Sequence, residues 1–253
     1  MKLMAKPPSG QILVVTKKVI SVCLIFTLLS VGLSYAAYAD DFSVSALPWK
    51  ISALFAFLFC FGPVVICLRD RGANALWAYG AIMLIFLSAI YYFFGIFGYF
   101  YFFIFAPVSV YLKWPGLVGG VLLTSYWVVV TYRNVMKTIK ITSFVENAFE
   151  DCGDYIGYQI QKGTREFDKR YKELDPVPKI FIYLIYGVAP FYLILNRMLS
   201  STFGSTGILL FIAVLGMPMS LWFVGVFVRG YLVMVALPLR MEKERHKRVI
   251  VIG

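Results

Sequence analysis

Histidine is nearly missing from this 253-residue chain: His246 is the only one, and it sits in a basic C-terminal stretch. A histidine-ligated metal centre and a histidine-based catalytic triad are thereby almost excluded. Cysteine is sparse as well. Cys23, Cys60, Cys67 and Cys152 show no zinc or redox spacing and imply no disulfide framework. Acid is scarce in the first half, where Asp70 is the only Asp or Glu between Asp41 and Glu146. There is no phosphate-cradling Gly-x-x-x-x-Gly-Lys, no Gly-x-Ser-x-Gly elbow and no His-Glu-x-x-His. Gly204-Ser205-Thr206-Gly207 holds a serine between glycines without a nearby base, and reads as part of a turn over Ser200–Gly207. Gly153-Asp154 matches half of an intramembrane aspartyl protease motif, yet no second aspartate lies in an apolar run. No catalytic residue, cofactor or metal site is expected. Internal repeats are also lacking, which disfavours an inverted-repeat transporter.

What is there is hydrocarbon-compatible: 60% of the residues are hydrophobic and 18% aromatic. Apolar runs of about 18 residues or more recur, the length that crosses a ~30 Å hydrocarbon core. They predict an all-α, polytopic membrane protein of about six spans. The spans are Val19–Ala39, Ile51–Leu68, Leu76–Phe94, Gly116–Tyr132, Ile180–Leu195 and Gly207–Val228. The first ends in Ala37-Tyr38-Ala39 after a basic start, the form of a cleavable signal peptide. The run is long for a signal, so an uncleaved span is the preferred reading, and both readings place Asp40 outside. Gly116-xxx-Gly120 opens the fourth span and would permit close helix approach.

From Tyr91 to Phe105, eleven of fifteen residues are Phe or Tyr. Leu76–Leu112 as one helix would be about 55 Å long, more than one crossing needs. Charge chooses between one crossing and two. With one, the inner side holds 21 Lys/Arg against Lys50, Lys113 and Arg197 outside, as the positive-inside bias requires. Residues 95–112 are then expected as an outer re-entrant or surface helix. The net charge of +11 is explained by inner loops, so nucleic acid is not an expected partner.

These runs divide the chain into an N-terminal membrane region (1–132, with the outer aromatic segment 91–112), a soluble insert (133–179), a C-terminal membrane region (180–239) and a basic tail (240–253). The insert carries nine Lys/Arg and eight Asp/Glu. Its apolar residues, including Phe144, Val145, Phe149, Tyr155 and Ile156, fall in an i, i+3, i+4 rhythm that predicts an amphipathic helix over 141–160. Gly163-Thr164 reads as a break and N-cap. Phe167 and Tyr171 mark a second, shorter helix. Two uses of this stripe are open: self-packing, or docking of a partner. Arg229, after the last span, is expected to snorkel to the interface. Arg240, Lys243, Arg245, Lys247 and Arg248 are expected to meet anionic lipid headgroups or to anchor topology. The expectation for function is a non-enzymatic membrane subunit or interaction protein, of a secretion, transfer, immunity or exclusion type, in a bacterial inner membrane with both termini cytoplasmic. Its partners would be membrane lipid and a protein partner or further copies of itself. The alternative is a channel or transporter subunit.

Overall fold

The computed structural model describes residues 11–70, 74–141, 143–171 and 192–252, with backbone alone over 192–205. The chain is mostly helical, and five helices among the described residues are long and apolar enough to cross a membrane: Ile12–Asp41, Leu47–Arg69, Leu76–Phe105, Val110–Lys140 and Thr206–Arg245. This fits an integral membrane protein. The span expected at 180–195 lies outside the described residues up to 191.

Helix α1 (Gln11–Ser34) continues as a π-helical stretch through Asp41, and α2 (Leu47–Arg69) returns beside it. The inner seam of α1 is made of small and hydroxyl-bearing residues. Thr16, Val19, Cys23, Thr27, Ser30 and Ser34 are buried, whereas Leu24, Ile25, Leu28 and Leu29 face outward. That polarity is the reverse of a soluble helix. In lipid nothing repels the large apolar side chains, and small residues let helices approach. The buried hydroxyls satisfy themselves on the preceding turn: Thr16 Oγ1 donates to the Ile12 carbonyl and Thr27 Oγ1 to that of Cys23, both at 2.7 Å.

Helix α3 (Leu76–Tyr91) runs without a break into a π-helical stretch (Tyr92–Phe100) and α4 (Tyr101–Phe105). The expected re-entrant or surface segment over 95–112 is therefore corrected. Its aromatic part prolongs the third crossing and is buried inside the bundle: Tyr92, Phe97, Tyr101, Phe102 and Phe103 are each at most 5% exposed. Ala106–Ser109 then breaks the helix ahead of α5 (Val110–Ile141). The rings need room, and α5 supplies it. Rings of Phe103 and Tyr99 occupy the places of the absent side chains at Gly116 and Gly120, and Tyr99 OH donates to the Gly116 carbonyl at 2.9 Å. The small-xxx-small pair thus seats aromatic rings, not another backbone.

Helix α8 (Tyr192–Tyr231) is continuous, so the turn expected over Ser200–Gly207 is corrected as well. Within an apolar stretch an unwound backbone would leave peptide groups unpaired, and a helix satisfies them all. A π-helical turn (Leu232–Ala236) leads to α9 (Leu237–Arg245).

The insert departs most from expectation. In place of a helix over 141–160, a short α6 (Phe144–Ala148) is followed by β1 (Phe149–Asp151), β2 (Tyr155–Gln159) and α7 (Ile160–Arg170). The C-terminal tail adds β3 (Arg248–Ile252). The sheet order is β1-β2-β3, with β1 antiparallel to β2 (Phe149 opposite Tyr158) and β3 parallel to it (Tyr155 opposite Arg248, Gln159 opposite Ile252). The far edge of β3 is met by the start of α3, where the Val251 amide donates to the Asn74 carbonyl at 2.9 Å and Ala75 bridges Ile250. Insert and tail together form one cap on one end of the bundle. Lys17, Lys18, Arg69, Arg133, Lys137 and Lys140 lie on helix segments at that end, and Asp40, Asp41, Lys50 and Lys113 at the other.

Candidate functional site

Burial decides what the insert's stripe does. Phe144 and Ile156 are fully buried, Phe167 is 2% and Phe149 7% exposed, and with Tyr158, Val249 and Val251 they make the core of the cap. Val145 and Tyr171 pack half-buried against that core, Tyr171 stacked on Phe167 with centroids 5.0 Å apart. Tyr155 is half-buried in β2. The stripe proposed for a partner is therefore spent at home, because the sheet gives both strand faces something to cover. Gly163 is no break either. It lies inside α7, and the Tyr158 ring packs where its side chain would be.

The cap core continues into the membrane ends of three helices: Leu76 of α3, Val135 of α5, and Leu232 and Val233 after α8. Arg229 closes this junction. Its Nη1 donates to Asp168 Oδ1 of α7 at 3.1 Å, and its guanidinium lies 5.8 Å from the centre of the Phe167 ring. The expected snorkelling residue is instead a brace between α8 and the insert, since an arginine at a span end gains more from a carboxylate and a ring face than from bulk water.

The basic tail is equally engaged. Lys247 donates to both Asp151 oxygens at 2.8 Å, and Arg248 begins β3. The Lys247 ammonium and the Gly153 amide hold the Asp151 carboxyl below the usual range. Glu242 Oε1 accepts the Val249 amide at 2.9 Å, and Arg240 Nε donates to Glu244 at 2.7 Å. Lys243 and Arg245 are exposed on α9. Of the six bases expected at the interface or at lipid, Arg229 and Lys247 thus hold insert carboxylates, Arg240 pairs within α9 and Arg248 belongs to the sheet, leaving Lys243 and Arg245 outward. On α7, Lys169 and Arg170 both bond Glu166, at 2.7 and 2.9 Å, and hold its carboxyl low.

Beneath the cap, α3 and α8 part to enclose a cavity of about 520 Å³. Its walls include Leu84, Leu87, Ile90, Phe223, Val226 and Met234, and its cap end carries Tyr158, Thr164, Asp168 and Arg229. Burial pushes the Tyr158 hydroxyl up to about 12. A second apolar cavity, of about 570 Å³, follows along the same seam toward the other end, between Phe93, Phe97 and Gly98 on one side and Leu209, Ile212 and Gly216 on the other. Among the described residues no cluster of His, Cys, Asp or Glu could hold a metal ion.

Sequence reasoning also missed a buried hydroxyl chain at the end away from the cap. Ser52 Oγ donates to the Pro48 carbonyl at 2.9 Å and lies 3.1 Å from Ser34 Oγ and 2.9 Å from Tyr92 OH, which lies 2.7 Å from Tyr101 OH. It ties α1, α2 and the aromatic helix together. The only signal was polar residues inside apolar runs.

Comparisons of the chain with protein-family models, with curated proteins and with solved structures find no match.

Proposed function

We propose that the protein is a non-enzymatic integral membrane subunit or interaction protein whose working surface is the composite cap. The observation that carries this reading is the joining of two segments from distant parts of the sequence into one sheet, braced on the spans by Arg229 and Asp168. A soluble platform held rigidly at one end of a bundle suits presentation to a partner. The presented surface is then the charged exterior, with Lys243 and Arg245 on α9, and not the buried stripe. Membrane lipid surrounds the remainder.

The basic helix ends gathered with the cap support a cytoplasmic placement for it and for both termini, and compact loops suit a bacterial inner membrane. A six-span count is supported by chain direction. Tyr171 and Arg229 lie together at the cap, while α8, 40 residues long, begins about 60 Å away. A secretion, transfer, immunity or exclusion assembly is the matching context. The test is intact-complex mass analysis after purification in mild detergent at low salt. A second protein at fixed stoichiometry, lost on reversing Lys243 and Arg245 to glutamate, is the expected result. A chain that never carries a companion would overturn the reading.

The two cavities in line along the α3–α8 seam favour a second reading, a channel or transporter subunit. It requires solute flux in liposomes holding this protein alone.

A further inference from the structure

The cavity under the cap is apolar over most of its length and polar at one end only. That gradient runs from the span interior, at Ile90 and Phe223, to the span end, at Arg229. Its volume of about 520 Å³ lies inside the range of about 300–1,000 Å³ typical of small-molecule sites. Trp222, 44% exposed on the outer face of α8, stands on its rim, so the cavity borders the hydrocarbon region. The polar end presents hydroxyls as well as charge. Tyr158 is fully buried, and its side chain lines the cavity there. A ligand oxygen at this place can accept from that hydroxyl and from the one on Thr164.

Charge at the polar end has a sign. Thr164 and Asp168 line both this cavity and an open groove on α7 that also bears Arg165 and Lys169. With Arg170 and Arg229, four cations stand there against two carboxylates, Glu166 holding Lys169 and Arg170 and Asp168 holding Arg229. We propose that the cavity binds an anionic phospholipid of the surrounding bilayer, with one acyl chain between α3 and α8 and the phosphate at Tyr158, Thr164 and Arg229. The hydroxyls of Tyr158 and Thr164 donate to phosphate oxygens, while the guanidinium and the α7 bases supply the attraction. The lipid then fills the gap between spans and cap and fastens one to the other. This proposal concerns a different surface from the partner-facing exterior, so either stands without the other.

The test is native mass spectrometry and thermal stabilisation of the full chain in detergent, titrated with phosphatidylglycerol, phosphatidylcholine or oleate. The expected result is one retained phosphatidylglycerol and a raised melting temperature, with phosphatidylcholine and oleate each weaker by about tenfold or more, as loss of a charge-assisted hydrogen bond implies. Leu84→Trp fills the apolar part and should abolish retention. The double variant Tyr158→Phe, Thr164→Val keeps shape, removes both hydroxyls, and should cut affinity for phosphatidylglycerol about tenfold while the lipid-free melting temperature holds. Equal retention of all three lipids, or phosphatidylglycerol binding unchanged by both sets of substitutions, would overturn the proposal.

Discussion

Lys247 reaches across 96 residues of sequence to place its ammonium 2.8 Å from each oxygen of Asp151. The tail is thereby fastened over the β1–β2 turn, with β3 laid parallel to β2 just beyond it. Because the lysine holds the folded Asp151 carboxyl below its ordinary 3.8, the clasp is fully present above that value. It is lost as pH falls through the lower folded value. Native hydrogen exchange should therefore show β3 amides opening first in the acid range, below about pH 4. In Asp151→Asn they should open already at neutral pH, with the acid step gone. Identical exchange in the two proteins would mean that the clasp holds nothing.

The brace at Arg229 predicts a coupling. Arg229→Ala removes both the Asp168 bond and the ring contact with Phe167, and should cost about 1–2 kcal/mol. Asp168 is half exposed, so Asp168→Asn should cost less, under about 1 kcal/mol. A double-mutant cycle read by thermal unfolding should show losses smaller than additive. Strict additivity would place the two groups outside one interaction.

Much of the bundle was legible because span length is a coarse signal that tertiary context seldom overrides. The insert was less so. Phe144, Ala148, Phe149, Cys152 and Tyr155 keep a helical rhythm, but Gly153, at φ +91°, supplies a tight turn that the rhythm alone does not reveal. The strand that completes the sheet carried a local signal, Val249-Ile250-Val251-Ile252, a β-branched run. Its meaning depended on a partner some ninety residues away, which no local pattern states. The hydroxyl chain failed for the same reason. Ser34, Ser52 and Tyr92 are visible as polar residues in spans, but their meeting is a property of three packed helices.

The cap core predicts separable stabilities. Ile156→Ala empties space between Phe144, Tyr158 and Val249 and should cost about 2–5 kcal/mol. The loss should fall on the cap, read as faster proteolysis between α5 and α7 and in the tail, while the spans stay inserted. Loss of the whole protein from the membrane would instead make the cap a condition for bundle assembly.

Ser52 gives a third kind of test, within the membrane. It bonds the Pro48 carbonyl and stands between Ser34 and Tyr92. Ser52→Ala leaves the other two hydroxyls short of a partner where water does not compensate, at about 1–2 kcal/mol. The companion Tyr92→Phe in the same background should cost little further, since its hydroxyl has already lost one of its two neighbours. Full independent losses from the two changes, measured by unfolding in detergent, would show that the chain does not act as a unit.

His246 ends α9 in the left-handed region, at φ 52° and ψ 27°, and turns the chain from that helix into β3. Any residue with a Cβ is strained there by about 1 kcal/mol, and glycine is not. His246 is exposed, so its ring is not needed to pack. His246→Gly should raise the stability of the cap by about 0.5–1 kcal/mol, less whatever the looser unfolded chain gives back. The gain should appear as slower exchange of β3 amides and a higher melting temperature, with the bundle unaffected. A fall in stability would mean that the imidazole itself holds the turn, and would make this lone histidine a residue to titrate.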